Sequence, residues 1–152
     1  MATVRASSER TVPARTERVW ELVRDYERRP RILSDAFVDY RVESGGQGAG
    51  TVVRYKLNAG RRERAYRMEV DEPAAGRELR ERDSESTLAT RWSLTPAGDG
   101  ESTRVELSSE WRGAGGIGGF FERRFAPAAL SRIYADVLAR LESELRASAD
   151  AA

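Results

Sequence analysis

Between about Phe120 and Arg146, apolar residues recur at Phe121, Phe125, Leu130, Ile133, Tyr134, Val137, Leu138, Leu141 and Leu145. Steps of three and four residues line these side chains along one face of a helix. Arg132, Asp136, Arg140 and Ser143 fall on the other face, with Asp136–Arg140 and Glu142–Arg146 spaced for i,i+4 pairing. About 25 residues at 1.5 Å each make a rod roughly 38 Å long. A stripe of that length needs a broad apolar partner, and nearly everything upstream of it reads as strand. The expected architecture is a curved antiparallel sheet wrapped around one C-terminal helix.

The upstream order supports this. Thr3 to Val12 reads as a first strand, and Pro13 has the fixed φ that suits a first helical turn. Pro13 to Asp25 then sets Val19, Leu22 and Val23 on one face, with Trp20 beside them. Asp25-Tyr26-Glu27-Arg28-Arg29-Pro30 breaks that helix, and a short second helix is expected through Arg31, Ile32 and Leu33. From Ala36 onward the period changes to two. Val38/Tyr40/Val42, Val53/Tyr55/Leu57, Tyr66/Met68/Val70, Leu88/Thr90/Trp92/Leu94 and Val105/Leu107/Ser109/Trp111 alternate with polar residues. Arg77 to Asp83 is a weaker strand whose one large apolar residue is Leu79. Glycine-rich turns at Gly45–Gly50 and Gly98-Asp99-Gly100 join antiparallel neighbours. The chain is thus α+β, in the order β-α-α-β6-α with a seven-stranded antiparallel sheet. It reads as a single domain over residues 1–147, followed by a short disordered tail at 148–152.

Composition narrows the chemistry. The 152 residues carry 34% charged side chains yet a formal net charge of +1, so no strong field marks a nucleic acid or another polyanion as partner. With no cysteine and no histidine, thiol nucleophiles, disulfides and the commonest general base and metal ligands are absent. Acid–base chemistry would fall to Asp, Glu, Tyr, Arg or Lys56, the one lysine among 26 basic residues. The first ten residues lack a signal-peptide core, and no run approaches the ~18 apolar residues of a membrane span. A cytoplasmic location is expected.

Pro13-Ala14-Arg15-Thr16-Glu17-Arg18-Val19-Trp20-Glu21-Leu22-Val23, followed by Asp25-Tyr26 and Pro30, resembles the START-like superfamily, also called SRPBCC. Within it the likeness is to the polyketide cyclase/dehydrase and lipid-transport group. The Gly98-Asp99-Gly100 turn before a strand ending at Trp111 is similar too, and the resemblance extends from about Thr3 to Leu145. It implies a helix-grip fold with an internal cavity between sheet and final helix. The implied function is binding or transport of a small hydrophobic or aromatic molecule of polyketide, lipid or quinone type. Two alternatives stand beside it: a cofactor-free polyketide cyclase, aromatase or dehydratase, and a partner-binding module with a filled core. No metal or organic cofactor is implied. An acyl carrier protein or other protein is a further candidate partner, and the chain would be a monomer or homodimer. Where cyclases carry a Ser and an Arg this chain has Arg67 and Glu69, and Arg29 stands where they carry an aromatic; Trp92 matches an aromatic of that group.

On this resemblance the residues expected to line the cavity are Tyr40, Tyr55, Tyr66, Met68, Trp92, Ser109 and Trp111 from the sheet. Phe121, Phe125, Ile133 and Tyr134 face them from the helix. Rings with a polar edge suit a flat, mostly apolar ligand needing one or two hydrogen bonds. Any one of them could simply fill a core. As a set they bring more hydroxyl and indole groups inward than a plain core wants, because each needs a partner when buried.

The remaining motifs point to less. Gly113-Ala114-Gly115-Gly116-Ile117-Gly118 spells G-x-G-x-x-G, but no strand follows the last helix to complete a dinucleotide-binding unit. It is expected to act as a hinge over the cavity mouth. Arg28-Arg29-Arg31 and Arg61-Arg62-Arg64 are expected at the surface as salt-bridge partners, or as contacts for an acidic ligand or carrier. Glu69, Asp71 and Glu72 read as solvated carboxylates, with no histidine to suggest a transition metal.

Overall fold

The computed structural model describes residues 3–59, 62–112 and 126–151. Seven strands form one antiparallel sheet: β1 (Thr3–Val12), β2 (Phe37–Ser44), β3 (Val52–Ala59), β4 (Arg62–Ala74), β5 (Glu78–Asp83), β6 (Ala89–Ala97) and β7 (Ser102–Arg112). Their spatial order is β1-β7-β6-β5-β4-β3-β2, so every neighbour pair but β1·β7 is a sequence-local hairpin. Helix α1 (Thr16–Val23) and a 3₁₀ turn (Arg29–Ile32) lie between β1 and β2, and helix α2 (Ala126–Ala151) ends the chain. This is the helix-grip arrangement anticipated from the sequence.

The stripe on α2 does what its period requires. Leu130, Tyr134, Val137, Leu138, Leu141 and Leu145 are all buried against the sheet. At roughly 1.5–3 kcal/mol for each large side chain removed from water, this face is a principal source of stability. The helix continues past the expected end at Arg146 as far as Ala151, taking in most of the residues expected as a tail; alanine, frequent there, is the best helix former. Its expected beginning, with Phe121, Phe125 and the Gly113–Gly119 hinge, lies outside the described residues.

Helix α1 starts at Thr16, not at Pro13, for a local reason. The carbonyl of Ala14 accepts a hydrogen bond from Thr103 Oγ1 (2.7 Å), which pins the chain to β7 before it can coil. Arg15 is still extended (φ −65°, ψ 151°). From Thr16 on, Val19, Trp20 and Val23 are buried against the sheet.

The glycine turn between β2 and β3 is more than a connection, because it clamps the end of α1. Tyr26 N–H donates to Gly46 O (2.9 Å), and Gly48 N–H donates to Arg24 O (2.9 Å). Gln47 Nε2 donates to Asp25 Oδ1 (2.8 Å). Gly48 has φ +57°, and a Cβ there would come 2.7 Å from Arg24 Nη2, in the space where Arg24 meets Glu72. Gly48→Ala is therefore expected to cost about 1–2 kcal/mol. A urea midpoint equal to that of the parent would show that the clamp tolerates a side chain.

At the β2 edge, Asp39 occupies the left-handed region (φ 56°) where the register shifts between Val38 and Arg41. The bulge breaks the regular edge that another strand could pair with.

Candidate functional site

The inner face of the sheet is built from cross-strand rows, since residues directly opposite in antiparallel strands share a face. One row runs Val70, Glu81, Thr90, Ser109, Ala6 across β4, β5, β6, β7 and β1. The next contains Leu79, Trp92 and Leu107. A carboxylate therefore stands in the middle of the concave face, with only 5% of its side chain exposed.

Its partner comes from the elbow after α1. Arg29 Nη1 donates to Glu81 Oε2 at 2.9 Å, and Arg29 Nη2 donates to the carbonyl of Val23 at 2.8 Å. The Tyr26 hydroxyl donates to the same Glu81 oxygen at 2.6 Å. The Tyr40 hydroxyl caps the carbonyl of Tyr26 at 2.8 Å. The guanidinium carbon of Arg29 sits 4.2 Å from the Tyr26 ring centroid and 5.0 Å from that of Trp92. A buried cation is thus held by a carboxylate, a carbonyl and two aromatic faces.

Electrostatics follow from this geometry. Burial works to lower the Arg29 pKa, but Tyr26 and Glu81 outweigh it and the net direction is upward, so the guanidinium stays charged. Burial, reinforced by the negative charge of Glu81, raises the Tyr26 phenol well above its usual range. Burial likewise pushes Tyr134 up to about 12, against the opposing pull of its hydrogen bonds with Ser109 and Thr90. Tyr134, on α2, meets Ser109 Oγ in a short contact, and Ser109 in turn meets Thr90 Oγ1 at 2.6 Å. This hydroxyl chain ties the helix to the sheet beside the ion pair.

Between α2 and the sheet lies a narrow cavity walled by Arg29, Glu81, Trp92, Thr90 and Tyr134, with Leu33, Phe37, Tyr40 and Tyr55 among the other lining residues. About 30 Å³ of it is open to water-sized molecules, room for a water or two at about 10–15 Å³ each. Two donors on its wall are buried with no acceptor among the described residues: Arg29 Nε and Trp92 Nε1.

Of the residues expected from the sequence, the structure brings Tyr40, Tyr55, Trp92 and Tyr134 to this cavity. Ser109 is buried one bond away through Tyr134. Tyr66 is half-buried, its ring 5.9 Å from that of Tyr55, while Met68 is wholly enclosed in the core. Trp111 is half-buried against the core. Ile133 lines a separate shallow depression on the outside, with Ser34, Asn58 and Asp136. Phe121 and Phe125 lie outside the described residues. Arg64, of the second arginine cluster expected at the surface, is exposed.

The expected surface role of Arg29 is corrected. A 3₁₀ turn has three residues per turn, so Arg28 and Arg31 share one side and Arg29 shares the other with Ile32. Arg28 and Arg31 face out toward Asp25 and Glu144, while Arg29 and Ile32 are 6% and 1% exposed. Glu81 was missed for a related reason. Its signal was the period of two: a strand that buries Leu79 also turns Glu81 and Asp83 inward. Such a carboxylate requires a cation close by.

Among the described residues no group of three His, Cys, Asp or Glu side chains could hold a metal ion, and no helix is long and apolar enough to cross a membrane.

The comparisons with known proteins agree with the fold. The chain is similar to the KanY protein, whose NMR structure aligns at 40% identity with a TM-score of 0.84, covering 96% of this chain and 99% of that one. It is similar in fold to the protein TTHA0849 of Thermus thermophilus (24% identity, TM-score 0.79, 95% and 98% coverage). The same holds for the Zhui aromatase/cyclase of a Streptomyces species (19% identity, TM-score 0.73, 94% and 93% coverage). No curated protein matches at a significant level. The family model described as polyketide cyclase/dehydrase and lipid transport matches residues 2–146. The chain belongs to the polyketide cyclase/dehydrase and lipid transport family.

Proposed function

We propose that the protein binds a small, mostly apolar, ring-bearing molecule in the cavity between the sheet and α2. The observation that carries this reading is the cavity wall itself. Aromatic and aliphatic side chains surround a few fixed polar groups, Arg29, Glu81, Thr90 and Tyr134, in the mixture that small-molecule sites use. A ring system is larger than the present opening, so binding requires the wall to widen. Leu33, Phe37, Tyr40 and Tyr55 are the half-buried lining residues whose outward movement would widen it, Tyr40 by giving up its hydrogen bond to the Tyr26 carbonyl. Phe37 and Tyr55 meet edge-on at 5.4 Å, and Tyr55 stacks with Tyr40 at 6.3 Å; these contacts would part on entry.

One observation favours catalysis as a second reading. Arg29 and Glu81 offer a cation and a carboxylate on one wall, the pair that enolisation and dehydration of a polyketide-type chain would use without a cofactor. The Zhui protein, similar in fold, is named an aromatase/cyclase, a description that belongs to that protein.

Native mass spectrometry of the protein purified from its own host, followed by solvent extraction, tests the binding reading. A stoichiometric small molecule released on denaturation is the expected result. A clean apo mass, with no uptake of sterols, quinones, flavonoids or fatty acids, would leave a filled-core, partner-binding module as the better account.

A further inference from the structure

The convex face of the sheet carries a second and larger hollow. Side chains alternate along β7, so Ser109 faces inward beneath Tyr134 and Ser108 points out. On that outer face Asp71, Arg80, Arg91, Ser108 and Ser7 form one cross-strand row. Long arginine and glutamate side chains stand around the short Ser93 and Ser108 and leave about 190 Å³ open to water-sized molecules, against about 30 Å³ between the sheet and α2. That is room for roughly a dozen waters at about 10–15 Å³ each, and so for one small ring with its substituents. Ser108 marks the floor. It is 8% exposed and makes no hydrogen bond to any described residue, yet its hydroxyl is not one of the unpaired polar atoms cut off from solvent, which are Arg29 Nε and Trp92 Nε1. A hydroxyl this deep that is neither paired nor sealed opens into the hollow it lines. Buried polar groups are almost always hydrogen-bonded, so this one takes its partner from whatever fills the space.

The rim decides the kind of partner. Arg80 is held by Asp71 at 2.6 Å and Arg91 by Glu78 at 2.7 Å. Arg5 lies between Glu106 and Glu110, 3.8 Å from each, which is too long for a hydrogen bond. Every guanidinium on the rim thus has a carboxylate beside it, and the charges cancel locally. An anion entering here meets Glu106 and Glu110, and a cation meets the guanidinium groups of Arg5, Arg80 and Arg91. A neutral hydroxyl accepts from Arg5 and donates to Glu106 or Glu110 at once, closing the gaps between them. We infer that this hollow is a binding site for a neutral polyhydroxyl compound, a single sugar ring, with Ser108 at its base and Arg5, Glu106 and Glu110 as its hydrogen-bonding rim.

Titration of ¹⁵N-labelled protein with glucose, galactose and mannose, followed through amide NMR shifts, tests this. At least one sugar is expected to bind saturably, with shifts centred on Arg91, Ser93, Ser108 and Glu110. The uronate and the 2-amino sugar of that same ring should bind about tenfold less tightly, since each brings a charge of the wrong sign to part of the rim. Ser108→Val fills the floor with a side chain that strands favour, and should weaken binding about tenfold with the urea midpoint unchanged. Ser108→Ala keeps the space and removes the hydroxyl, and should weaken binding severalfold.

No shift at these amides with any of the three sugars, shifts clustered instead at Leu33, Phe37 and Tyr55, tighter binding of the uronate or the amino sugar, or full binding by Ser108→Val would each overturn the inference. None of these results touches the reading of the inner cavity, because the two hollows lie on opposite faces of the sheet.

Discussion

Glu81→Ala is expected to cost about 3–5 kcal/mol of folding stability, because it strands the buried Arg29 guanidinium, 6% exposed, without its counter-ion. The loss has two parts: Arg29 keeps its charge without a counter-ion, and Tyr26 loses the acceptor of its hydroxyl. Breaking a buried pair from one side is far more damaging than replacing both partners with apolar groups. Arg29→Met/Glu81→Leu should therefore recover most of what Glu81→Ala loses. Urea unfolding of both singles and the double closes the cycle. A Glu81→Ala midpoint within 1 kcal/mol of the parent would mean that the ion pair is hydrated and the cavity wet.

Stability should also drain away in alkali. An ordinary tyrosine titrates near 10, whereas Tyr134 is pushed up to about 12 by burial and Tyr26 is moved in the same direction. The sign follows from which state ionises first. Below about pH 10 both states hold their phenol protons and the contribution is complete. As pH rises further, the unfolded chain ionises while the folded chain resists, so stability falls until the folded pKa is reached. At about 1.4 kcal/mol per unit, Tyr134 alone accounts for roughly 3 kcal/mol between pH 10 and 12. The slope belongs to the buried phenols, Tyr40 and Tyr55 among them since burial raises both, because the chain has no cysteine, no histidine and one lysine, and its arginines do not titrate in this range. Urea unfolding at pH 8 and pH 11 checks it. Tyr134→Phe should make the slope shallower by the Tyr134 share, and an identical slope in that variant would place the effect on the other tyrosines.

The frame was legible in the sequence wherever burial was apolar. The α2 stripe and the alternations around Val53, Met68, Trp92 and Val105 each named a buried face, since water sorts apolar side chains by period alone. The polar heart of the cavity was not legible in the same way. Arg29 sat in a cluster of three arginines broken by Pro30, and whether one of them turns inward depends on a 3₁₀ rather than an α period. Glu81 lay in the strand with the poorest apolar signal, and its burial makes sense only with an arginine 52 positions earlier. Local patterns do not encode such a pair, because each residue alone reads as surface.

The pairing of β1 with β7 also sets an order of events during synthesis. Thr3 lies opposite Arg112 and Val12 opposite Thr103, so the first strand made has its partner roughly a hundred residues later. At about 5–20 residues per second, β1 and α1 wait some 5–20 s on the ribosome before that partner exists. Meanwhile β2 through β7 can zip together hairpin by hairpin, each strand finding the one just made. Val19 and Trp20, buried in the finished fold, lack until then the β6 and β7 surface on which α1 packs. Of the strand pairs in the sheet, β1 with β7 is thus the last to close.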